Sequence, residues 1–208
     1  MIGQQAISDL DWSNHHPELL VSSYKSKSAN TSDGHVLIWN MHLADRPEFT
    51  LQAQSDVTAV RFSPFHPHLV IGGTYSGQIV IWDTRSKSLP VLKTSLCSTG
   101  HTHPVYSLSC FGTQNAHNLV SASTDGVVCT WSMDTLAQPQ DLIELFLQIG
   151  TRTDEVAVTC MDFPPNESST FWVGTEEGNV YQVNRYDRAG RFVQYFVKQK
   201  GWYLIVFV

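Results

Sequence analysis

The 208 residues carry 13 Lys and Arg against 19 Asp and Glu, a formal net charge of −6 that argues against a polybasic nucleic-acid binder or a binder of anionic membranes. Only 15% of the chain is charged while 42% is apolar and Ser and Thr together number 38, a balance that suits half-buried strands better than surface helices and excludes disorder throughout. The longest apolar run, Trp202 to Val208, is seven residues where a spanning helix needs about 20, and Met1 to Leu10 has neither the basic nor the apolar region of a signal peptide.

A tight-turn pair followed five positions later by tryptophan recurs along the chain, each time marking a unit that reads as inner strand, second strand, turn, tryptophan strand and outer strand. In the first unit the inner strand is Ile7 to Trp12, the turn Asp33-Gly34, and Val36-Leu37-Ile38 leads to Trp39; Pro47, eight residues on, opens the outer strand. Ile7 precedes Gly34 by 27 residues where later units show 20 or 21, so about seven residues are inserted, and the polar stretch Lys25 to Thr31 is the place for them. The second unit runs from Val57 to Phe62 through Ser76-Gly77 and Ile79-Val80-Ile81 to Trp82 and Pro90. The third runs from Val105 to Cys110 through Asp125-Gly126 and Val127-Val128-Cys129 to Trp131 and Pro139. Its Asp141 to Gly150 segment also fits a helical face, and the repeat frame makes it the outer strand. The fourth unit, Val158 to Phe163 and then Glu177-Gly178, has Val183 where the tryptophan would stand.

Gly34, Gly77, Gly126 and Gly178 are read as turn glycines that supply the positive φ of a two-residue hairpin. They lie 43, 49 and 52 residues apart, at or slightly beyond the ~40 to 50 residue period of four-stranded propeller blades. The expected organisation is an all-β propeller segment over residues 1–190, with blades at roughly 6–52, 56–98, 100–150 and 156–198 and a divergent apolar tail at 191–208. Basic residues crowd the end of the chain, so residues 1–184 hold eight bases against eighteen acids, a net of −10 that permits a basic partner face. Cys97, Cys110, Cys129 and Cys160 form no CxxC and read as reduced, mostly core thiols.

Apolar runs ending in Trp-Asn, Trp-Asp or Trp-Ser, with Gly100-His101 ahead of the third inner strand, resemble WD40 repeats. Longer strings, His16-Pro17-Glu18-Leu19-Leu20-Val21, Gly72-Gly73-Thr74-Tyr75-Ser76-Gly77, His101-Thr102-His103-Pro104-Val105-Tyr106 and Gly112-Thr113-Gln114-Asn115-Ala116-His117, resemble the cytoplasmic dynein intermediate chain family over about residues 6 to 190. That resemblance implies a non-catalytic scaffold that binds the dynein heavy-chain tail and helps assemble the motor for microtubule transport, in the cytoplasm and on the cytoskeleton. It implies a buried hydrogen-bond network of His101, Ser123, Asp125 and Trp131, incomplete in the second unit, where Ser76 and Ser55-Asp56 replace the expected residues. WD40 rings usually close with seven blades, so four imply an open, partial propeller. Family members carry a region before the propeller that contacts dynactin and the light chains; it is not in this sequence, and those partners are not expected. A generic WD40 adaptor of another complex is the alternative reading.

No GxxxxGK, GxGxxG or GxSxG string occurs, so neither a phosphate cradle nor a nucleophile elbow is indicated. His66-Pro67-His68 and His101-Thr102-His103 each offer two metal ligands without a Cys or carboxylate pair to complete a site, so no metal or cofactor is expected. His101, Ser123 and Asp125 have the composition of a triad, but without an oxyanion hole such a group orders a blade and catalyses nothing. Trp39, Trp82 and Trp131 read as packing between blades, and Tyr75 as a surface residue. Asp154-Glu155 and Glu176-Glu177 read as solvated surface.

Overall fold

The computed structural model describes residues 5–25, 33–43, 45–96, 100–113, 116–149, 152–164, 167–186 and 193–194. The proposed insertion beyond Lys25, Cys97 and, apart from 193–194, the 191–208 tail lie outside the described residues. Four antiparallel sheets of four strands follow one another in chain order. The first contains β1 (Ala6–Trp12), β2 (Leu19–Lys25), β3 (Gly34–Asn40) and β4 (Phe49–Ala53). The second contains β5 (Val57–Phe62), β6 (Leu69–Thr74), β7 (Ile79–Asp83) and β8 (Leu92–Lys93), and the third β9 (Val105–Thr113), β10 (Ala116–Ser123), β11 (Val127–Ser132) and β12 (Pro139–Glu144). A separate hairpin, β13 (Phe146–Ile149) with β14 (Arg152–Glu155), precedes the fourth sheet of β15 (Val158–Asp162), β16 (Thr170–Thr175), β17 (Val180–Asn184) and β18 (Val193–Gln194). Among the described residues no helix is long and apolar enough to cross a membrane.

The middle strands of the second and third sheets are apolar on both faces because each of these sheets lies between two others, so simple alternation is lost there. In β7, Val80 and Trp82 join Val21, Val36 and Ile38 of the first sheet, while Ile79 and Ile81 join Leu119, Cys129 and Trp131 of the third. Val120 and Val128 then meet Phe171, Val173 and Tyr181 of the fourth. Each buried aliphatic or aromatic side chain contributes on the order of 1.5 to 3 kcal/mol, so these three apolar layers hold the sheets in sequence. The inner strands β1, β5, β9 and β15 pack successively, and the four sheets form an open arc of WD40-type blades. On the face of the first sheet turned away from the second, Ile7, Leu10 and Trp12 are about half exposed.

Two expectations are corrected. Gly77, Gly126 and Gly178 have φ of 85°, 75° and 81°, as hairpin turns require, but Gly34 does not share this conformation. It is the first residue of β3, paired with Ala53, because the longer connection before it removes the need for a two-residue turn. A Cβ there would collide with the Ser55 carbonyl, so Gly34 serves the close approach of the chain entering the second blade. The third outer strand stops at Glu144 instead of continuing to Gly150. Glu144 pairs with Val127, the first residue of β11, so no partner remains; buried Leu145 then bonds Gly126 O through its amide, and the chain departs into β13.

Candidate functional site

Strands β10 and β11 bring the third unit's polar group together beneath the second blade. Trp131 and Ser121 sit on one face, diagonally across the register Ser121 to Cys129, and the indole Nε1 donates to Ser121 Oγ at 2.8 Å. The same hydroxyl lies 2.6 Å from His101 Nε2. His101 Nδ1 stands 3.6 Å from Asp125 Oδ1, an ion pair only if the ring is protonated. Nδ1 is buried and, at that distance, has no hydrogen-bond partner, and the ring tautomer decides whether Nε2 donates to or accepts from the Ser121 hydroxyl. Asp125 accepts from the amides of Thr102 at 2.9 Å and Val127 at 3.0 Å. Burial works to raise the Asp125 carboxyl, but the His101 ring and these amides outweigh it and hold it at about 2.

Of the four residues expected in a network, Trp131 and His101 meet on Ser121 and not on Ser123, and Asp125 Oδ1 stands 3.6 Å from His101 Nδ1, beyond hydrogen-bond range. Ser123 Oγ instead donates to His103 O at 3.0 Å and accepts weakly from Asp125 N, which fastens the turn. Ser123 is two residues farther along β10, about 7 Å at strand rise, and beyond the reach of the Trp131 indole. The signal that identifies Ser121 is its place in the repeat. Trp39 Nε1 donates to Ser22 Oγ at 2.9 Å from the matching position of the first blade. In the second blade that position is Gly72, and Trp82 Nε1 donates instead to Gln52 O of the first blade at 3.0 Å. A Cβ on Gly72 would come within 2.6 Å of the Trp82 ring. Trp82 and Trp131 are buried, while Trp39 on the first sheet is half-buried.

The His101 side chain is fully enclosed and Ser121 and Ser123 are buried, while Asp125 lines a small pocket with Thr102 and His103. His66 packs edge-on to His117, ring centroids 4.8 Å apart, and among the described residues no three His, Cys, Asp or Glu side chains converge as metal ligands. Tyr75 is 57% exposed in its turn.

The inner strands enclose a second feature, an 810 Å³ cavity lined by Asp9, Asp11, Arg61, Tyr106, Cys110 and Asp162 among others. Here carboxylates of one blade cap amides of the next inner strand. Asp9 Oδ2 accepts from Val60 N at 3.0 Å and from Arg61 Nη1 at 2.6 Å, and Asp11 Oδ2 from Phe62 N at 2.7 Å. Ser107 Oγ accepts from Met161 N at 3.1 Å between the third and fourth blades. Burial raises the Asp11 carboxyl above its ordinary value and pushes the Cys110 thiol up to about 12, so this cysteine stays protonated. These contacts tie blades together and expose no activated nucleophile.

Comparison with known proteins adds family evidence to this geometry. A family model described as Dynein axonemal intermediate chain 3 WD40 domain matches residues 25–124. A Drosophila melanogaster protein named Cytoplasmic dynein 1 intermediate chain is 46% identical over 186 residues, which cover 88% of this chain and 28% of that relative. The chain thus corresponds to less than a third of the relative's length.

Proposed function

This chain is a WD40-repeat relative of the dynein intermediate chains, and on that premise we propose that it is a non-catalytic scaffold segment that binds the dynein heavy-chain tail and contributes to assembly of the motor for microtubule-based transport. The observation that carries this reading is the 46% identity across nearly the whole arc, joined to polar groups that are spent on blade packing. A buried His101, an enclosed Ser121 and a protonated Cys110 supply rigidity, which suits a binding platform and offers no chemistry to a substrate. Its place would be the cytoplasm, on microtubules through the motor complex. The four blades act in this reading as one platform, with the His101–Ser121–Trp131 group ordering the third.

A pull-down of recombinant heavy-chain tail on the immobilised chain tests the proposal, with an unrelated helical protein as control. Selective retention of the tail is the expected result. Retention of unrelated peptides without the tail would favour a general WD40 adaptor of another complex.

A further inference from the structure

The hydroxyls inside the blades are committed to packing. Ser22, Ser107, Ser121 and Ser123 each hold a hydrogen bond to an indole, an amide or a carbonyl, and all four are buried. Ser86 stands outside that pattern. It follows the end of β7 at Asp83, in a turn where Ser86 N donates to Asp83 O at 2.9 Å, and it is exposed together with Arg85 and Lys87 on either side. Among the described residues its hydroxyl forms no hydrogen bond.

The chain is anchored before and after Ser86, which leaves residues 85–87 as a short projecting loop. Thr84 N donates to His68 O at 2.9 Å, and Gln52 N of the first blade donates to Ser88 O at 2.9 Å. Ser88 is half-buried and held by that bond, so it is not the residue on offer. Between the anchors the loop is tied to the blade through Asp83. Its carbonyl receives the Ser86 amide, and its carboxylate receives Arg85 N at 2.9 Å and Arg85 Nη2 at 2.7 Å. Opening these contacts uncovers no buried side chain, so the loop can enter the cleft of another protein while its blade stays folded.

The charge around Ser86 is opposite to that of the molecule. Residues 1–184 have a net charge of −10, yet the segment from Asp83 to Lys93 sets Arg85, Lys87 and Lys93 against a single acid, a net of +2. Among the described residues Ser86 is the one serine or threonine with a base on each side. A free hydroxyl at the tip of a basic loop meets the two demands of an enzyme that transfers a phosphoryl group to serine between acidic walls. The acceptor oxygen is reachable, and the flanking charges complement the walls.

We propose that Ser86 is a phosphorylation site for a serine/threonine kinase that selects basic sequences. The kinase base takes the hydroxyl proton as Ser86 Oγ bonds to the γ-phosphorus of ATP; the bond from that phosphorus to the β,γ-bridging oxygen breaks, and ADP leaves. The phosphate carries about −2 at neutral pH, which cancels the +2 of the segment and gives Arg85 a second anion in competition with Asp83. Modification thus turns a basic projection on an acidic molecule into a neutral one and removes its attraction for acidic surfaces.

The test incubates the folded 208-residue chain with ATP and the catalytic domain of protein kinase C, which is directed to basic sites, with casein kinase II, directed to acidic sites, as its counterpart. Tandem mass spectrometry maps the phosphate. Incorporation at Ser86 by the first kinase and not by the second is expected, and Ser86→Ala abolishes it. The double substitution R85Q/K87Q keeps the acceptor and is expected to lower the initial rate roughly tenfold, as loss of two recognition charges allows. Thermal melts followed by circular dichroism verify that both variants remain folded. No incorporation, phosphate confined to other residues such as Ser26 between Lys25 and Lys27, phosphate at Ser86 only after unfolding in urea, or an unchanged rate in folded R85Q/K87Q would overturn the proposal.

Discussion

The indole of Trp131 and the hydroxyl of Ser121 meet at 2.8 Å, and the pair recurs in the first blade as Trp39 on Ser22 at 2.9 Å. Where the second blade has Gly72 in the serine's place, Trp82 turns to a backbone carbonyl of its neighbour. The fourth blade has Val173 and Val183 at the two positions, so its indole and hydroxyl are absent together. Each tryptophan of the repeat therefore comes with an acceptor, as the cost of about 1 to 3 kcal/mol for an unpaired buried N–H demands.

Ser121→Ala leaves the Trp131 indole and His101 Nε2 without their shared partner and is expected to destabilise the chain by about 2 to 3 kcal/mol. Ser123→Ala removes one bond to the His103 carbonyl and costs about 1 kcal/mol or less. Urea midpoints measured side by side decide between them, and a larger loss from Ser123→Ala would restore the serine first expected from the resemblance.

Trp131→Ala should be among the costliest single substitutions, about 3 to 5 kcal/mol, because it empties the layer between the second and third blades. Trp172, half-buried on β16 and outside the repeat position, should cost clearly less when truncated. Comparable midpoints for the two variants would contradict this assignment of faces.

The two glycines Gly72 and Gly178 are required for different reasons. Gly72→Ala drives a methyl group into the Trp82 ring and is expected to cost about 1 to 3 kcal/mol through overpacking. Gly178 has open space around it but a φ of 81°, so Gly178→Ala should cost only the left-handed penalty of about 1 kcal/mol. Trp82 fluorescence should shift in the first variant and not in the second.

Asp125 sets a pH signature. Its folded value of about 2 lies below the ordinary 3.8, so its ionised form stabilises the fold above about pH 4, and that contribution is lost as pH falls toward 2. Allowing for solvent near the carboxylate, the contribution is about 1 to 2 kcal/mol. Asp125→Asn is expected to be less stable than the parent at pH 7, with the gap narrowing between pH 4 and pH 2. A constant gap across that range, measured by urea titration, would show that the loss is not electrostatic.

Much of the fold could be read from the sequence because its determinants are local. Val57, Val105 and Val158 open inner strands, Pro47 and Pro90 stand just ahead of β4 and β8 while Pro139 begins β12, and Gly77, Gly126 and Gly178 adopt the turn conformation. Gly34 shows the limit of that reasoning, since an Asp-Gly pair signals a hairpin only when its flanking strands are two residues apart. Ser121 was obscured by Ser123, another serine two positions away, and only the diagonal reach of an indole distinguishes them. The Asp9 and Asp11 contacts with Val60 and Phe62 span 51 residues and depend on the angle between adjacent blades, which no local pattern encodes. Strand β13 falls within the Asp141 to Gly150 segment that the repeat frame makes one outer strand, because apolar content alone cannot show where β11 runs out of partners.

The scaffold reading is tested most directly by isothermal titration of the chain with a purified heavy-chain tail fragment, at two salt concentrations and with folding verified beforehand. The account predicts saturable one-to-one binding that weakens as salt screens the acidic surface. A folded chain that releases no heat and shows no association with the tail at either salt concentration would contradict it.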